Sequence, residues 1–213
     1  MRSRDELMRV SRGYWSSRAL LTAVELGLFE ALAATSPRTA RSVARTLGTR
    51  TPATTLLLDA LVGMGILRKR DDAYAVRQAM RPYLGTGPES ALGMLRHHAR
   101  LWGVWDQLTT AVREGRPPEP EGGFRGGPEA ARAFTVAMRD GALRLAPRVA
   151  DEISFAGREH LLDLGGGPGV YAAAFARRHP ALRVTVVDLP HVCAVGRELV
   201  AEQEDVADRI DYH

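Results

Sequence analysis

Cysteine is almost missing from this chain: Cys193 stands alone among 213 residues. A lone thiol cannot close an internal bridge, which excludes a disulfide-stapled scaffold and makes a cytoplasmic protein the plain expectation. Long apolar runs are missing too. A charged group such as Glu25 or Asp59 interrupts each of them within about 18 residues, and Met1-Arg-Ser-Arg-Asp-Glu-Leu7 has no apolar stretch behind its charges, so no membrane span and no secretion leader is read. Charge of one sign is scarce as well, since 29 basic against 25 acidic residues leave only +4. Lys69 is the sole lysine, and only Arg2, Arg4, Arg9, Arg12 and Arg18 gather, so a solvated surface is expected rather than a nucleic-acid footprint. What remains is ordinary globular material, 45% hydrophobic and 25% charged, long enough for one or two domains with a real core.

Helices open the chain. Leu7, Val10 and Tyr14, then Leu21, Val24, Leu28 and Leu32, recur at three- and four-residue spacing and form a stripe over two successive helices. A short helix over 39–47 is stopped by Gly48. Thr51 offers an N-cap and Pro52 a first-turn proline for the next helix, which runs to about Gly63. Two extended stretches, 66–69 and 73–76, then read as a small hairpin. Three helices and a hairpin outline a winged helix, a shape used both to read DNA and to hold subunits together. The third helix favours packing: between Thr51 and Gly63 it carries five leucines and valines, with Asp59 as its single charge and none of the arginine, lysine, asparagine or glutamine that a helix in the major groove needs for phosphates and base edges.

Beyond Gly85 a long helix is expected over about 89–113, with Trp102 and Trp105 read as core aromatics. Residues 115–128 hold nine glycines and prolines and form a loop. A further helix over about 129–153 carries Phe134, Met138, Leu145 and Val149.

At Glu159 the period changes. Residues 159–164 read as a short buried strand running into Gly165-Gly-Gly-Pro-Gly169 and then an alanine-rich helix, 170–178. A second strand, 182–188, and a second helix from about Pro190 make this the opening of a doubly wound parallel sheet, an α/β arrangement. Glycines let the backbone approach a ligand closely, and Asp188, 19 residues after Gly169 at the end of the second strand, is placed to accept from both hydroxyls of a ribose. Gly167-Pro-Gly169-Val-Tyr-Ala172 also satisfies the dinucleotide fingerprint, which leaves a nicotinamide-dependent oxidoreductase open. Asp163-Leu-Gly165-Gly-Gly167-Pro-Gly169, an acid followed by alternating glycines, resembles the first motif of S-adenosylmethionine-dependent methyltransferases, in which the acid faces the cofactor's amino-acid end; a carboxylate suits an ammonium better than a pyrophosphate, so this resemblance favours the sulfonium cofactor.

The run Leu161-Leu-Asp-Leu-Gly-Gly-Gly-Pro-Gly169, the sequence Val187-Asp-Leu-Pro-His191, the helix with Phe134 and Met138, and the winged-helix-like start together resemble the S-adenosylmethionine-dependent small-molecule O-methyltransferases of plant caffeate and acetylserotonin type and their bacterial natural-product relatives. The resemblance implies a winged-helix-like dimerisation domain over 1–84, helical linker and pocket helices over 85–155, and a partial Rossmann-like cofactor domain over 156–213. It implies Asp163, Gly165, Gly167, Asp188 and Leu189 as contacts for S-adenosylmethionine, Phe134 and Met138 as pocket residues for a small aromatic hydroxyl substrate, and a homodimer through the N-terminal part. The family's chains continue for well over a hundred residues, through a third strand and a catalytic histidine. The chain is therefore expected to be a fragment without the family's base. No histidine here is assigned that role, no residue is assigned to a metal, and a non-catalytic dimeric or regulatory relative stays open.

Overall fold

The computed structural model describes residues 3–33, 37–87, 89–117 and 127–213, in two compact units, 1–99 and 100–213.

In the first unit α1 (Arg4–Glu25) starts where Ser3 accepts from the Glu6 N–H at 3.2 Å, with Asp5 and Glu6 favourably placed in the first turn. The expected stripe divides here. Leu21 and Val24 of α1 join Leu28 and Leu32 of α2 (Leu28–Ala33) in the core, whereas Leu7, Val10 and Tyr14 stay more than half exposed. A two-residue strand β1 (Arg38–Thr39) precedes α3 (Ala40–Leu47), which ends on a left-handed Gly48. Arg38 ties these elements, donating to the Ala31 carbonyl at 2.9 Å and to the Ser42 and Thr46 hydroxyls at 2.9 and 2.7 Å.

The next helix, α4 (Thr51–Gly63), is capped differently from expectation: Arg50 occupies the N-cap position and Thr51 is already helical. Strands β2 (Leu67–Arg70) and β3 (Ala73–Val76) turn through Asp71 at φ +52° and add to β1 in the antiparallel order β1-β3-β2, so the wing has a third strand that the sequence pattern did not suggest. Two residues are too short for a period-2 signal. The one charge of α4 is engaged inside the unit, since Asp59 accepts from Lys69 at 3.0 Å and from the Tyr74 hydroxyl at 2.8 Å. A 3₁₀ turn leads into the short α5 (Arg81–Leu84).

The long helix expected over 89–113 is two: α6 (Leu92–Asp106) and α7 (Leu108–Glu114). At Gln107 the side-chain amide takes the Gly103 carbonyl at 3.2 Å, the acceptor its own helical N–H would use, and that N–H turns to the Val104 carbonyl instead. Trp105 is corrected as well, being 66% exposed, while Trp102 is half-buried. The glycine- and proline-rich loop lies mostly outside the described residues.

The helix expected over 129–153 is likewise two, α8 (Gly127–Ala142) and α9 (Ala146–Glu152), because Pro147 has no N–H to continue the ladder and clashes with the preceding turn. There follow β4 (His160–Leu164), α10 (Val170–Arg178), β5 (Arg183–Val187), α11 (Pro190–Ala201) and β6 (Ile210–Tyr212). The three strands are parallel in the order β4-β5-β6, with Leu161 opposite Val184 and Val184 opposite Ile210. Helix α10 packs on β5 and β6, α11 on β6, and α9 on α10, around a core that includes Val184, Val186, Ala172, Ala173, Leu182 and Cys193. One expectation fails. β4 is not a buried strand: it lies at the sheet's edge, with Leu162 and Leu164 exposed by 57% and 72%.

Candidate functional site at the carboxyl edge of the parallel sheet

Parallel strands end with their carbonyls and the following loops at one edge, where short turns meet helix N-termini. Here β4 and β5 stay paired to the last residue and one bond beyond it, the Gly165 N–H donating to the Val187 carbonyl at 2.7 Å. The chain then turns sharply. Gly165 and Gly167 take φ of +71° and +57°, values that side-chain-bearing residues adopt only under strain, and the space where a Cβ would stand at either is open to 4 Å. Gly169 enters α10 in the left-handed region.

The loop is tied to the second strand. The Gly167 N–H donates to Asp188 Oδ2 at 2.9 Å, and Asp188 Oδ1 accepts from the Leu189 N–H at 2.7 Å. Each oxygen thus spends one acceptor position on the backbone, and a carboxylate offers about four in all, so the half-exposed Asp188 keeps capacity for two donors from a ligand. Asp163 folds back beneath the same turn. A Cβ on Gly166 would stand 2.5 Å from its Oδ2 and 2.9 Å from the Val186 side chain, so only glycine leaves room for the carboxylate there. Burial and, secondarily, the charge of Asp188 hold the Asp163 carboxyl above the ordinary aspartate range.

The structure therefore brings five sequence-predicted residues, Asp163, Gly165, Gly167, Asp188 and Leu189, to one edge of the sheet. Phe134 and Met138 stand one turn apart and half-buried on α8, the helix that packs on α11 and α10. Sequence reasoning passed over Gly166, although the glycine triplet carried the signal. It also passed over the cradle in which Gly169 and Gly196 receive Tyr212, because that contact joins residues far apart in the chain. The Tyr212 hydroxyl is buried with no hydrogen-bond partner among the described residues, and burial pushes its pKa up.

Comparison with known proteins finds two family domains in the chain. An O-methyltransferase dimerisation domain matches residues 8–84, and an O-methyltransferase domain matches residues 105–213. The chain belongs to the O-methyltransferase family. It is 33% identical over 201 residues to 3-hydroxy-5-methyl-1-naphthoate 3-O-methyltransferase of Streptomyces sahachiroi, covering 92% of this chain and 58% of that protein. It is 32% identical to N,N-dimethyltransferase OxyT of Streptomyces rimosus, covering 97% of this chain and 62% of the relative. The crystal structure of human N-acetylserotonin methyltransferase in complex with S-adenosylmethionine superposes with a TM-score of 0.82 at 26% identity, over 100% of this chain and 66% of that one. This O-methyltransferase family member thus spans about three fifths of the length of the curated relatives it matches. Among its described residues no helix is long and apolar enough to cross a membrane.

Proposed function

We propose that the chain binds S-adenosylmethionine at the carboxyl edge of the parallel sheet and serves transfer of its methyl group to a hydroxyl of a small aromatic natural product. The observation that carries this reading is the bond from the Gly167 N–H to Asp188 at 2.9 Å, which joins the glycine turn to the acid after the second strand in one preorganised acceptor. The donor set fits the cofactor. Asp188 has acceptor capacity for two ribose hydroxyls, the open faces of Gly165 and Gly167 admit a ligand against the backbone, and Asp163, destabilised as an anion by burial and by Asp188, gains from a nearby ammonium. A pyrophosphate would add negative charge to two carboxylates, which weighs against a nicotinamide dinucleotide. When bound, S-adenosylmethionine supplies a methyl group on a sulfonium sulfur. The residues of this chain hold and orient it: Asp188 and Leu189 at the nucleoside, Asp163 with Gly165 and Gly167 at the amino-acid end.

For the acceptor, Phe134 and Met138 on α8 offer an apolar face for an aromatic ring. One relative is named for O-methylation and another as an N,N-dimethyltransferase, so the hydroxyl is tested against an arylamine. Isothermal titration with S-adenosylmethionine, S-adenosylhomocysteine and NAD, on wild type and Asp188→Ala, tests the cofactor. Binding of the first two, lost in the variant, supports the reading; binding of NAD, or unchanged binding in the variant, defeats it.

We infer further that the chain forms a homodimer through the first unit. Before Leu21 no residue of α1 is buried, and Leu7, Val10, Tyr14 and Trp15 are all more than half exposed. Beside them a groove of about 480 Å³ is lined by Tyr14, Trp15, Leu26, Leu47, Ala53 and Leu57. A self-complementary apolar stripe and groove of this kind are satisfied by a second copy. Sedimentation of wild type against Val10→Asp tests it: a dimer that dissociates in the variant supports the interface, and a wild-type monomer rejects it.

A further inference from the structure

Asp188 is held at its carboxylate by two N–H groups, but its own backbone sits at a junction that must also be held. Helix α11 begins just after it, and in its first turn the N–H groups of Val192 and Cys193 donate to the Leu189 carbonyl at 2.8 and 2.9 Å. The Asp188 carbonyl lies one residue before that and faces the Cys193 thiol at 3.3 Å. The same sulfur is 3.3 Å from the His213 carbonyl, which accepts the Asp188 N–H at 3.1 Å, while the His213 N–H donates to Val186 at 2.8 Å. One turn along α11, Arg197 donates to the Tyr212 carbonyl at 2.6 Å. The ends of β5 and β6 and the first turn of α11 therefore meet on Cys193, which is 2% exposed.

We infer that Cys193 is a positioning residue for Asp188: its thiol, shared between the Asp188 and His213 carbonyls, fixes the strand end from which the carboxylate reaches Gly167. This rests on the reading of Asp188 as a cofactor contact. The physical basis is the cost of leaving the part-buried Asp188 carbonyl without a donor, which any apolar replacement at 193 imposes, whereas the His213 carbonyl keeps the Asp188 N–H. A thiol is a weak donor, so the effect is modest, and it acts on the aim of the carboxylate.

The test uses the full chain with Cys193→Ser, which keeps a donor, Cys193→Val, which keeps volume without one, Cys193→Ala as a smaller second apolar variant, and Asp188→Ala. Two quantities are read: the Kd for S-adenosylhomocysteine by titration, and ligand-free amide exchange at Gly167 and Leu189 relative to 172–176 of α10. Cys193→Val and Cys193→Ala are expected to raise Kd about threefold to tenfold, the equivalent of one lost hydrogen bond, and to speed exchange at Gly167 and Leu189 while the α10 amides are unchanged. Cys193→Ser is expected within about twofold of wild type. If Asp188→Ala abolishes binding while the apolar variants bind and exchange as wild type, or if serine is as damaging as valine, the positioning role is wrong and the cofactor reading stands. If Asp188→Ala binds as wild type, or the wild-type chain shows no binding, the cofactor reading itself fails, and the positioning role falls with it.

Discussion

Replacing Gly196 by alanine opposes two effects of known sign. Gly196 lies inside α11, where alanine is favoured over glycine by about 1 kcal/mol because it restricts the unfolded backbone. The added Cβ, however, would stand 2.4 Å from Cε1 of Tyr212 and 2.7 Å from both Cζ and the hydroxyl oxygen. Ordinary carbon contacts lie near 3.5–4.0 Å, so the ring would have to retreat by about 1 Å. It has nowhere to go. Tyr212 is 5% exposed, and a Cβ at Gly169 would be only 2.2 Å from the same hydroxyl, so two glycines crowd the hydroxyl end of the ring. Overpacking of this severity costs about 3 kcal/mol, which leaves Gly196→Ala destabilised by about 2 kcal/mol despite its better helix propensity. In a Tyr212→Leu background the overlapping atoms are gone, and the same substitution should stabilise by about 1 kcal/mol. The sign reverses, for a coupling of about 3 kcal/mol. Urea unfolding followed by amide exchange of α10 and α11 reads the second unit alone. A raised midpoint for the single variant, or an equal loss in both backgrounds, refutes the reasoning.

Three further outcomes follow from particular groups. Tyr212→Phe removes a buried hydroxyl with no partner among the described residues and should raise the second unit's stability by about 1 kcal/mol, seen as a higher urea midpoint; a lower one would reveal a partner for the hydroxyl. Asp163 has a raised carboxyl pKa, so the folded state loses stability as pH rises through its range and the carboxylate forms; Asp163→Asn should be more stable than wild type at pH 7, equal to it near pH 2, and weaker in cofactor binding. Equal melting temperatures at pH 7 would remove the electrostatic account. Asp59 has the opposite sign, its pKa lowered by the Tyr74 hydroxyl and then Lys69, whose own pKa is raised to about 12; Asp59→Asn should lower the first unit's melting temperature above pH 4 and leave it unchanged near pH 2, which a melting series over pH checks.

Much of the fold lies in local pattern. Gly48 as a left-handed stop, α10 over 170–178 and the end of α4 at Gly63 stand where the spacing of apolar residues and breakers puts them. The two long helices were over-extended for different reasons. Pro147 was legible as a breaker and was passed over, whereas the turn at Gln107 depends on a side-chain amide choosing its own backbone, which periodicity does not encode. Exposure was the harder quantity. Trp105, Leu7 and Val10 carry a core-like pattern and lie at the surface, because amphipathic spacing shows that a face is apolar without naming what covers it.

By itself the sequence determined which backbone could form the glycine turn, which residue ends the second strand as an acid, and that the two stand at one edge of a parallel sheet, because these depend on residue type and short-range spacing. The tertiary structure decided the rest: that Gly167 donates to Asp188, that Asp163 is tucked under Gly166, that Cys193 bridges two strand ends, and that Tyr212 needs two glycines. Those contacts join residues separated by up to 43 positions, Gly169 to Tyr212, and no one-dimensional pattern specifies them. They are chosen only when the strands pair and the helices close over them, where close packing and the cost of an unpaired buried group leave few alternatives.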